Sequence, residues 1–388
     1  IAALRIDGDV DAGALTVAAA SSARVALTVE VVVSDGGREV ARASGASGTT
    51  LVLPIAQAKL WWPDAPFLYD LRVELKDAAG HVCDAVTSYA GLRKIAVGPG
   101  PDGRTRMLLN NTFVLQIGLL DQGFWPDGVY TAPSDAALRS DLEAAKRLGC
   151  NMLRKHVKVE PERWYSWADR LGVLVWQDMP GVPEMGYRNR TACLDDLEGN
   201  FESELRRMVQ GRVNHPSLIV WVPFNEGWGL PLAEKRQPGD ADALAPAGRA
   251  REERMVTAIR AEDRTRLIDA ESGAGGGANQ GANLWDAGFG DLIDYHCYGG
   301  DAPRPEAARA SVIGEAGWGL ALVASIRGRL ATSPQLGESA IVITQLTDVE
   351  NETNGALTYD RREKADCAAI GVELVKAIRA AGYATYPR

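Results

Sequence analysis

The last three quarters of the chain alternate short apolar segments with longer amphipathic segments, and this alternation limits the folds that the chain can adopt. Eight apolar segments are predicted to be strands: 115–120, 151–154, 173–176, 218–222, 267–270, 292–295, 311–313 and 340–344. Five amphipathic segments are predicted to be helices: 134–148, 161–171, 195–213, 249–261 and 362–380. The helical pattern after the fifth, sixth and seventh strands is weak. Eight strands with intervening helices nevertheless favour an α/β fold of the (β/α)8 TIM barrel type over an open sheet.

The first part of the chain has a different pattern. Segments such as 24–31 and 69–75 alternate apolar and polar residues and are separated by Gly, Asp and Ser turns, which is typical of a small antiparallel β-sandwich. A predicted hairpin over 107–117, turning at Asn110 and Asn111, leads into the barrel. We therefore expect two domains, a β-sandwich over 1–94 and a barrel over 95–388.

Composition excludes several classes of function. The net charge is −9 and the Lys and Arg residues do not cluster, which argues against a nucleic-acid partner. Because no apolar stretch approaches the ~20 residues that cross a bilayer, we expect a soluble protein with no membrane partner. The compartment stays open, with the periplasm or the outside of the cell favoured over the cytoplasm. The five cysteines are odd in number and widely spaced, which argues against a disulfide scaffold and a structural zinc site.

The segment around Glu226 is the strongest candidate for chemistry. An apolar, β-branched and aromatic run, 218–222, follows the turn-forming Asn214-His215-Pro216 and leads to Asn225 and Glu226. TIM barrels place their catalytic groups at the C-terminal ends of the strands. Glu226 is therefore predicted to lie in a site.

A second carboxylate, Glu315, follows the apolar strand 311–313 in the same way. The two glutamates belong to strands four and seven of the predicted barrel, which face each other, so their carboxyl groups are expected to converge. Hydrolysis of a glycosidic bond requires such a pair: one carboxyl group protonates the leaving oxygen, and the other attacks the anomeric carbon or directs water to it. The alternative is that one or both glutamates only solvate strand ends, which we favour less.

Other polar and aromatic residues follow the remaining strands and complete a predicted carbohydrate pocket. The substrate-binding candidates are Asp121, Arg154, His156, Asp178, Asn225, Trp228, His296, Tyr298, Trp318, Gln345 and Asp348. Trp228 and Trp318 follow the two glutamates at similar offsets, and aromatic faces pack well against the C–H face of a sugar ring. For any single tryptophan, ordinary core packing is an alternative interpretation.

Two segments partly resemble cofactor or metal-binding motifs, but neither has the full pattern. The glycine-rich segment 273–278 is not followed by an amphipathic helix, as a dinucleotide site requires. The acidic segment 348–355 lacks the spacing of a calcium loop, and the four histidines include no His-Glu-x-x-His pattern. We therefore expect no cofactor and no metal. A metal-dependent hydrolase using Asp348, Glu350 and His296 is the least favoured alternative.

These residues resemble glycoside hydrolase family 2, the retaining exo-β-glycosidases that include β-galactosidases, β-glucuronidases and β-mannosidases. The resemblance rests on Asn214-His215-Pro216-Ser217 followed by Trp221 and Asn225-Glu226, on Gly314-Glu315, and on the segments 60–63, 91–94, 108–113, 151–156 and 294–298. It implies that residues 1–94 form the family's immunoglobulin-like sandwich. It also implies that the family's jelly-roll domain, which normally precedes this sandwich, is absent from the chain.

The resemblance implies roles for individual residues. Glu226 would be the general acid/base, Asn225 would contact the sugar 2-hydroxyl, and Glu315 would be the nucleophile. Arg154 and His156 would support the nucleophile and the bound sugar, and the segment 294–298 would place an aromatic residue or histidine near the nucleophile. We expect the carboxyl groups to be about 5 to 5.5 Å apart, and the like charge of Glu315 to hold Glu226 protonated in the free enzyme.

Departures from the family pattern narrow the choice of function. The eighth strand lacks the Asn-x-Lys segment that glucuronidases use for the substrate carboxylate, which favours a β-galactosidase- or β-mannosidase-like enzyme. The residues after Glu315 (Ala316-Gly317-Trp318) also differ from the expected order. The alternative from another class is a catalytically impaired barrel protein that binds glycans.

Overall fold

The structure, a computed structural model, describes residues 1–181, 194–230, 244–273, 286–298, 305–317, 321, 323–328 and 337–380. The N-terminal part is a β-sandwich, as predicted. Its two main sheets have the orders β1-β2-β5 and β4-β3-β8-β9, all antiparallel, and β6 and β7 form a short ribbon. The strands are β1 (Ala3–Asp9), β2 (Ala14–Ala20), β3 (Thr28–Asp35), β4 (Arg38–Ala46), β5 (Thr50–Pro54), β6 (Trp61–Trp62), β7 (Ala65–Pro66), β8 (Tyr69–Lys76) and β9 (Val82–Ala90).

Alternation of side chains builds the sandwich core. In β3, Val29, Val31 and Val33 are buried while the residues between them are less so, and in β8 Leu71 and Val73 follow the same period of two. Residues on one face of each strand therefore meet between the sheets.

A hairpin separates the sandwich from the barrel. Strands β10 (Ile95–Pro99), β11 (Thr105–Leu109) and β12 (Thr112–Phe113) form a three-stranded sheet, and Asn110 and Asn111 turn at positive φ. The predicted hairpin is thus present, although its second strand is short and Gln116 already belongs to the barrel. We propose residue 94 as the boundary between the two domains.

The second part is an eight-stranded parallel barrel, which confirms the predicted fold class. Its strands are β13 (Gln116–Asp121), β14 (Met152–Lys155), β15 (Leu174–Asp178), β16 (Leu218–Val222), β17 (Leu267–Ile268), β18 (Leu292–Cys297), β19 (Ala310–Ala316) and β20 (Glu338–Ile343). Their order is β17-β16-β15-β14-β13-β20-β19-β18. At the remaining seam, the Asp291 amide donates to the Ile268 carbonyl at 2.8 Å.

Helices cover the outside of the barrel. They are α1 (Asp135–Arg147), α2 (Glu162–Leu171), α3 (Leu194–Arg212), α4 (Pro246–Glu262) and α5 (Cys367–Ala380). Ser134 caps α1 by accepting from the Ala137 amide, and α2 ends at Gly172 with φ +70°. A Cβ on Gly172 would lie 2.0 Å from the carbonyl oxygen of Pro63, so only glycine fits this contact with the sandwich. Within the described residues, no helix combines the length and the apolar character needed to span a membrane.

The Asn214-His215-Pro216-Ser217 segment joins the two domains. The Asn214 side chain donates to the Leu4 carbonyl and accepts from the Ile6 amide, both at 2.8 Å, and so extends the edge of β1. Arg93, at the end of the sandwich, donates to the carbonyls of Pro216 and Leu218 at 2.9 and 2.7 Å. This segment therefore fixes the start of β16, the strand that leads to Glu226.

Candidate active site

Glu226 lies in a strained turn after β16. Its φ is +50°, a conformation that costs a side-chain-bearing residue of the order of 1–3 kcal/mol. Two hydrogen bonds from the neighbouring strand end hold the turn: the Glu226 amide donates to the Ser272 carbonyl at 2.9 Å, and the Gly227 amide donates to Oε1 of Glu271 at 2.5 Å. The side chain of Glu226 is partly exposed and points toward Glu315.

Glu315 lies near the end of β19 and is 6% exposed. Its Oε2 accepts from the Tyr298 hydroxyl at 2.7 Å, and its Oε1 accepts from Nη1 of Arg154 at 3.4 Å. One carboxylate oxygen of Glu226, one of Glu315 and a ring nitrogen of His296 all lie within 4.8 Å of one another. The two glutamates that the sequence pairs are therefore brought together.

Arg154 on β14 organises this end of the barrel. Its buried guanidinium forms a double hydrogen bond with Asp178, at 3.1 and 2.9 Å, and donates to Oδ1 of Asn225 at 2.7 Å. Burial alone would lower the pKa of Arg154, but the charges of Asp178 and Glu315 outweigh burial and raise it. Although burial opposes it, the Arg154 charge in turn holds the pKa of Asp178 below its ordinary value. Arg154 is therefore a fixed positive charge beside Glu315.

His156 and Trp228 lie on the other side of Asp178. Nδ1 of His156 is 2.8 Å from Oδ2 of Asp178, and the ring centroids of His156 and Trp228 are 6.0 Å apart. The indole Nε1 of Trp228 is buried and has no hydrogen-bond partner among the residues that the structure describes. Trp318, the tryptophan predicted to pair with it, lies outside the described residues, as does most of the glycine-rich segment after Gly273.

His296 lies between the two glutamates. Its Nδ1 is 2.8 Å from Oε1 of Glu226, and its Nε2 is 3.7 Å from Oε1 of Glu315. Burial disfavours the imidazolium, but the charge of Glu315 and the hydrogen bond to Glu226 raise the pKa of His296.

The protonation of Glu226 differs from the sequence-based expectation. Burial raises the pKa of Glu226, but the hydrogen bond and the charge of His296 outweigh burial and lower it. The expectation that Glu315 alone would hold Glu226 protonated considered only the like charge and omitted this histidine. In the structure, the proton of the Glu226–His296 pair is favoured on the imidazole.

Two carboxylates and an imidazole at this spacing are also potential metal ligands. Arg154, however, places its Nη1 3.4 Å from both Oε1 of Glu315 and Nε2 of His296. A fixed positive charge at that distance opposes the binding of a divalent cation. The donor set therefore fits a proton-transfer site better than a metal centre.

Three of the predicted substrate-binding residues also have protein partners in the structure. Asp121 is buried against Lys155, with 2.6 Å between Oδ2 and Nζ. Gln345 is buried and bonds Gln122 and Asn354, and Asp348 accepts from Lys364. These three side chains stabilise the ends of β13 and β20 and the loops that follow.

Sequence reasoning missed two buried residues, Ser272 and Asp294, that contact this site. Oγ of Ser272 is 3.0 Å from Nε2 of His296 and 2.5 Å from Oδ2 of Asp294. One feature of the sequence could have identified Asp294: it is a carboxylate in the interior of the apolar strand 292–297. An aspartate is rarely buried in such a strand unless it has a partner.

Comparison with known proteins agrees with this architecture. Residues 1–93 match the family model described as glycosyl hydrolases family 2, and residues 131–298 match its TIM barrel domain. The chain is 28% identical over 178 residues to a β-galactosidase of Lactococcus lactis, covering 45% of this chain and 17% of that protein. It is also 28% identical over 200 residues to a β-glucuronidase of Paenibacillus borealis, covering 50% of this chain and 32% of that protein.

Solved structures show the same fold. The crystal structure of Ruminococcus gnavus β-glucuronidase matches with a TM-score of 0.77 at 18% identity, covering 96% of this chain and 68% of that one. The chain spans less than a third of the length of the two relatives above. The two family models together match about two thirds of its residues. The chain therefore belongs to glycosyl hydrolase family 2.

Proposed function

We propose that the chain is a retaining exo-β-glycosidase that removes a terminal sugar from an oligo- or polysaccharide by double displacement. The observation that carries this proposal is the convergence of Glu226 and Glu315. The nearest oxygens of their two carboxylates lie within 4.8 Å of each other. Retaining enzymes hold their two carboxyl groups about 5–5.5 Å apart, whereas inverting enzymes leave about 6.5–9.5 Å for a water molecule. The close approach of one oxygen of each carboxylate supports retention.

In the first step, a carboxylate oxygen of Glu315 attacks the anomeric carbon and the bond to the leaving oxygen breaks. The leaving oxygen takes the electron pair of that bond and a proton from Glu226. Arg154 and the Tyr298 hydroxyl orient the Glu315 carboxylate before attack. Deglycosylation reverses the roles: Glu226 removes a proton from water, the water oxygen attacks the anomeric carbon, and Glu315 leaves.

The acid proton is shared by Glu226 and His296 in this mechanism. Nδ1 of His296 is 2.8 Å from Glu226, so a proton can pass from the imidazolium to the carboxylate as the leaving group departs. The two groups titrate as one coupled pair, and the alkaline limb of the pH–rate profile reports the loss of the proton from the pair.

A neutral sugar suits the described part of the site. The cationic side chains at the end of β14 are committed to protein groups: Arg154 to Asp178 and Asn225, Lys155 to Asp121 and Glu160, and Lys158 to the Gly123 carbonyl and Glu160. A substrate carboxylate would have to displace one of these pairs. We therefore propose a β-galactoside or β-mannoside as substrate, with Asn225 and His156 contacting hydroxyls and Trp228 and Trp318 packing against the sugar ring.

Hydrolysis of 4-nitrophenyl β-galactoside, β-mannoside and β-glucuronide tests the proposal. We expect turnover of a neutral glycoside, and a loss of at least about 10³-fold in Glu315→Gln, since the nucleophile is removed. Glu226→Gln should lose less on this activated leaving group, which needs little protonation, than on an alkyl glycoside. Circular dichroism controls for folding.

Wild-type turnover in a folded Glu315→Gln variant would exclude the assigned nucleophile. Binding of a sugar without hydrolysis of any glycoside would instead favour the alternative function, a glycan-binding barrel.

A further inference from the structure

Asp294 is a buried carboxylate that contacts the supports of both catalytic glutamates. It is 2% exposed and lies in the interior of β18. Its Oδ1 accepts from the Gly314 amide at 2.5 Å, one residue before Glu315. Its Oδ2 accepts from the Ser272 hydroxyl at 2.5 Å, and the Ser272 carbonyl in turn accepts from the Glu226 amide.

The directions of these hydrogen bonds are fixed by chemistry. An ionised carboxylate only accepts, so the Ser272 hydroxyl donates to Asp294. The Ser272 oxygen is then free to accept from Nε2–H of His296, 3.0 Å away, while Nδ1–H of His296 donates to Oε1 of Glu226 at 2.8 Å. The chain of hydrogen bonds Asp294–Ser272–His296–Glu226 is therefore satisfied when His296 carries both ring protons.

The backbone is built to admit Asp294. A Cβ on Gly314 would lie 2.0 Å from Oδ2 of Asp294 and 2.7 Å from Oγ of Ser272, so any side chain at 314 would push both groups away. Burial and the Asp294 charge raise the pKa of the buried Asp269 well above its ordinary value. Gly314 therefore leaves the space in which the Asp294 carboxylate meets both the Gly314 amide and the Ser272 hydroxyl.

We propose that Asp294 and Ser272 are positioning residues of the active site, which together hold His296 as the imidazolium that supplies the acid proton to Glu226. The same Asp294 carboxylate fixes the backbone of β19 immediately before Glu315. One buried aspartate thereby couples the orientation of the acid/base to that of the nucleophile. The inference rests on the proposed glycosidase function for its kinetic consequence but not for the protonation of His296.

The charged groups that face His296 come from several elements. Glu226 faces Nδ1, while Glu315 of β19 and Arg154 of β14 face Nε2. Glu315, Asp294 and Glu226 all raise the pKa of His296. Arg154 is a positive charge near Nε2 and opposes the imidazolium, while the Ser272 oxygen, 3.0 Å away, is an acceptor for the second ring proton.

Nuclear magnetic resonance of ¹⁵N-labelled histidine side chains tests the protonation directly. The chain has four histidines, and a His296→Gln variant identifies the signal of His296 by its absence. We expect the pKa of His296 to lie above the ordinary ~6.5 and to fall by about one unit or more in Ser272→Ala, which removes a hydrogen bond to a charged group. Asp294→Asn should also lower the pKa of His296. The asparagine amide group is neutral and can donate a hydrogen bond where the Asp294 carboxylate accepts one.

Ser217→Ala is the matched control. Ser217 is another fully buried serine, but no described residue forms a hydrogen bond with its hydroxyl. The substitution should leave the pKa of His296 at its wild-type value. An equal pKa of His296 in wild type and Ser272→Ala, with both proteins folded, would overturn the inference.

Kinetics with the 4-nitrophenyl glycoside that the wild-type chain hydrolyses provide the second readout. In Ser272→Ala the alkaline limb of kcat/KM should move to lower pH by about the same one unit, and kcat should fall more than KM rises. An unmoved alkaline limb in Ser272→Ala would overturn the coupling of Ser272 to catalysis. If no glycoside is hydrolysed, the proposed function fails, while the magnetic resonance experiment still decides whether Asp294 and Ser272 hold the imidazolium.

Discussion

His215 lies in a buried network between the barrel and the sandwich, and this network predicts a stability that falls as the pH rises. Nδ1 of His215 is 2.6 Å from Oδ2 of Asp169, and Nε2 is 2.8 Å from Oε2 of Glu162. The hydroxyl of Tyr89, on β9 of the sandwich, donates to the same Asp169 oxygen at 2.7 Å. Loss of charge on His215 would leave Asp169 buried without its main counter-charge.

The size of the effect follows from the pKa of His215. Burial lowers this pKa, but the Asp169 charge and the hydrogen bonds to Asp169 and Glu162 outweigh burial and raise it from 6.5 to about 9. Because the folded pKa exceeds the unfolded one, the stabilisation is fully present below pH ~6.5 and is lost as the pH rises through about 9. A shift of this size corresponds to about 3 kcal/mol at most, and to about 2–3 kcal/mol once the exposure of Glu162 is considered.

Urea unfolding of wild type and His215→Gln at pH values from 6 to 9 measures this contribution. The variant should be less stable than wild type by about 2–3 kcal/mol at pH 6, and the difference should shrink toward pH 9. Other groups that titrate in this range, such as Glu252, are common to both proteins and cancel in the difference. His81→Gln is the control, because the His81 side chain is 79% exposed.

Equal pH dependence of the unfolding free energy in wild type and His215→Gln would refute the reasoning. It would mean that His215 is neutral in the folded protein and that the Asp169 contact is an ordinary hydrogen bond. In that case the variant would be less stable than wild type by the same amount at every pH, and the lost stability would come from packing rather than from the charge of His215.

Substitutions at three further positions test other parts of the structure. Glu252 is fully buried, and neither of its carboxylate oxygens has a hydrogen-bond partner within the described parts of the chain. Burial raises the pKa of Glu252 to about 8, so Glu252→Gln should stabilise the protein by about 1–3 kcal/mol at pH 8 and little at pH 5, as measured by urea unfolding. Glu271→Ala removes the acceptor of the Gly227 amide and should lower kcat about 10–100-fold. Glu271→Gln retains an acceptor oxygen, so its kcat should fall less. Equal kcat values in the two variants would contradict this role of Glu271. Gly314→Ala should lower both kcat and the melting temperature, because the alanine Cβ would lie 2.0 Å from an Asp294 oxygen. A wild-type kcat and a wild-type melting temperature in this variant would show that the structure accommodates the Cβ without cost.

The barrel could be predicted from the sequence because each strand is a short apolar run between amphipathic segments. The predicted strand 218–222 coincides with β16, and the predicted helix 161–171 differs from α2 by one residue. Two strands of the barrel end later than predicted, because their ends do not follow the simple apolar pattern. β18 extends to Cys297 and β19 to Ala316, because their polar ends, with His296 and Glu315, are still paired in the sheet.

The active site could be predicted only in part. Glu226 and Glu315 could be paired from their positions at strand ends, since barrel topology brings such ends together. Asp121, Gln345 and Asp348 follow the same pattern, but cations and amides distant in sequence engage them, and strand position alone does not reveal those partners. The protonation of the Glu226–His296 pair depends on side-chain distances that no sequence pattern encodes.

Trapping of the glycosyl-enzyme tests the central claim most directly. The 2-deoxy-2-fluoro aryl glycoside of the sugar that the chain hydrolyses slows both steps but leaves a good leaving group, so the covalent intermediate should accumulate. Mass spectrometry of the digested protein should then find the fluorosugar on Glu315, at one equivalent per chain, and none in Glu315→Gln. A fluorosugar attached to another carboxylate, or hydrolysis of the parent glycoside with inversion at the anomeric carbon, would contradict the proposed double displacement.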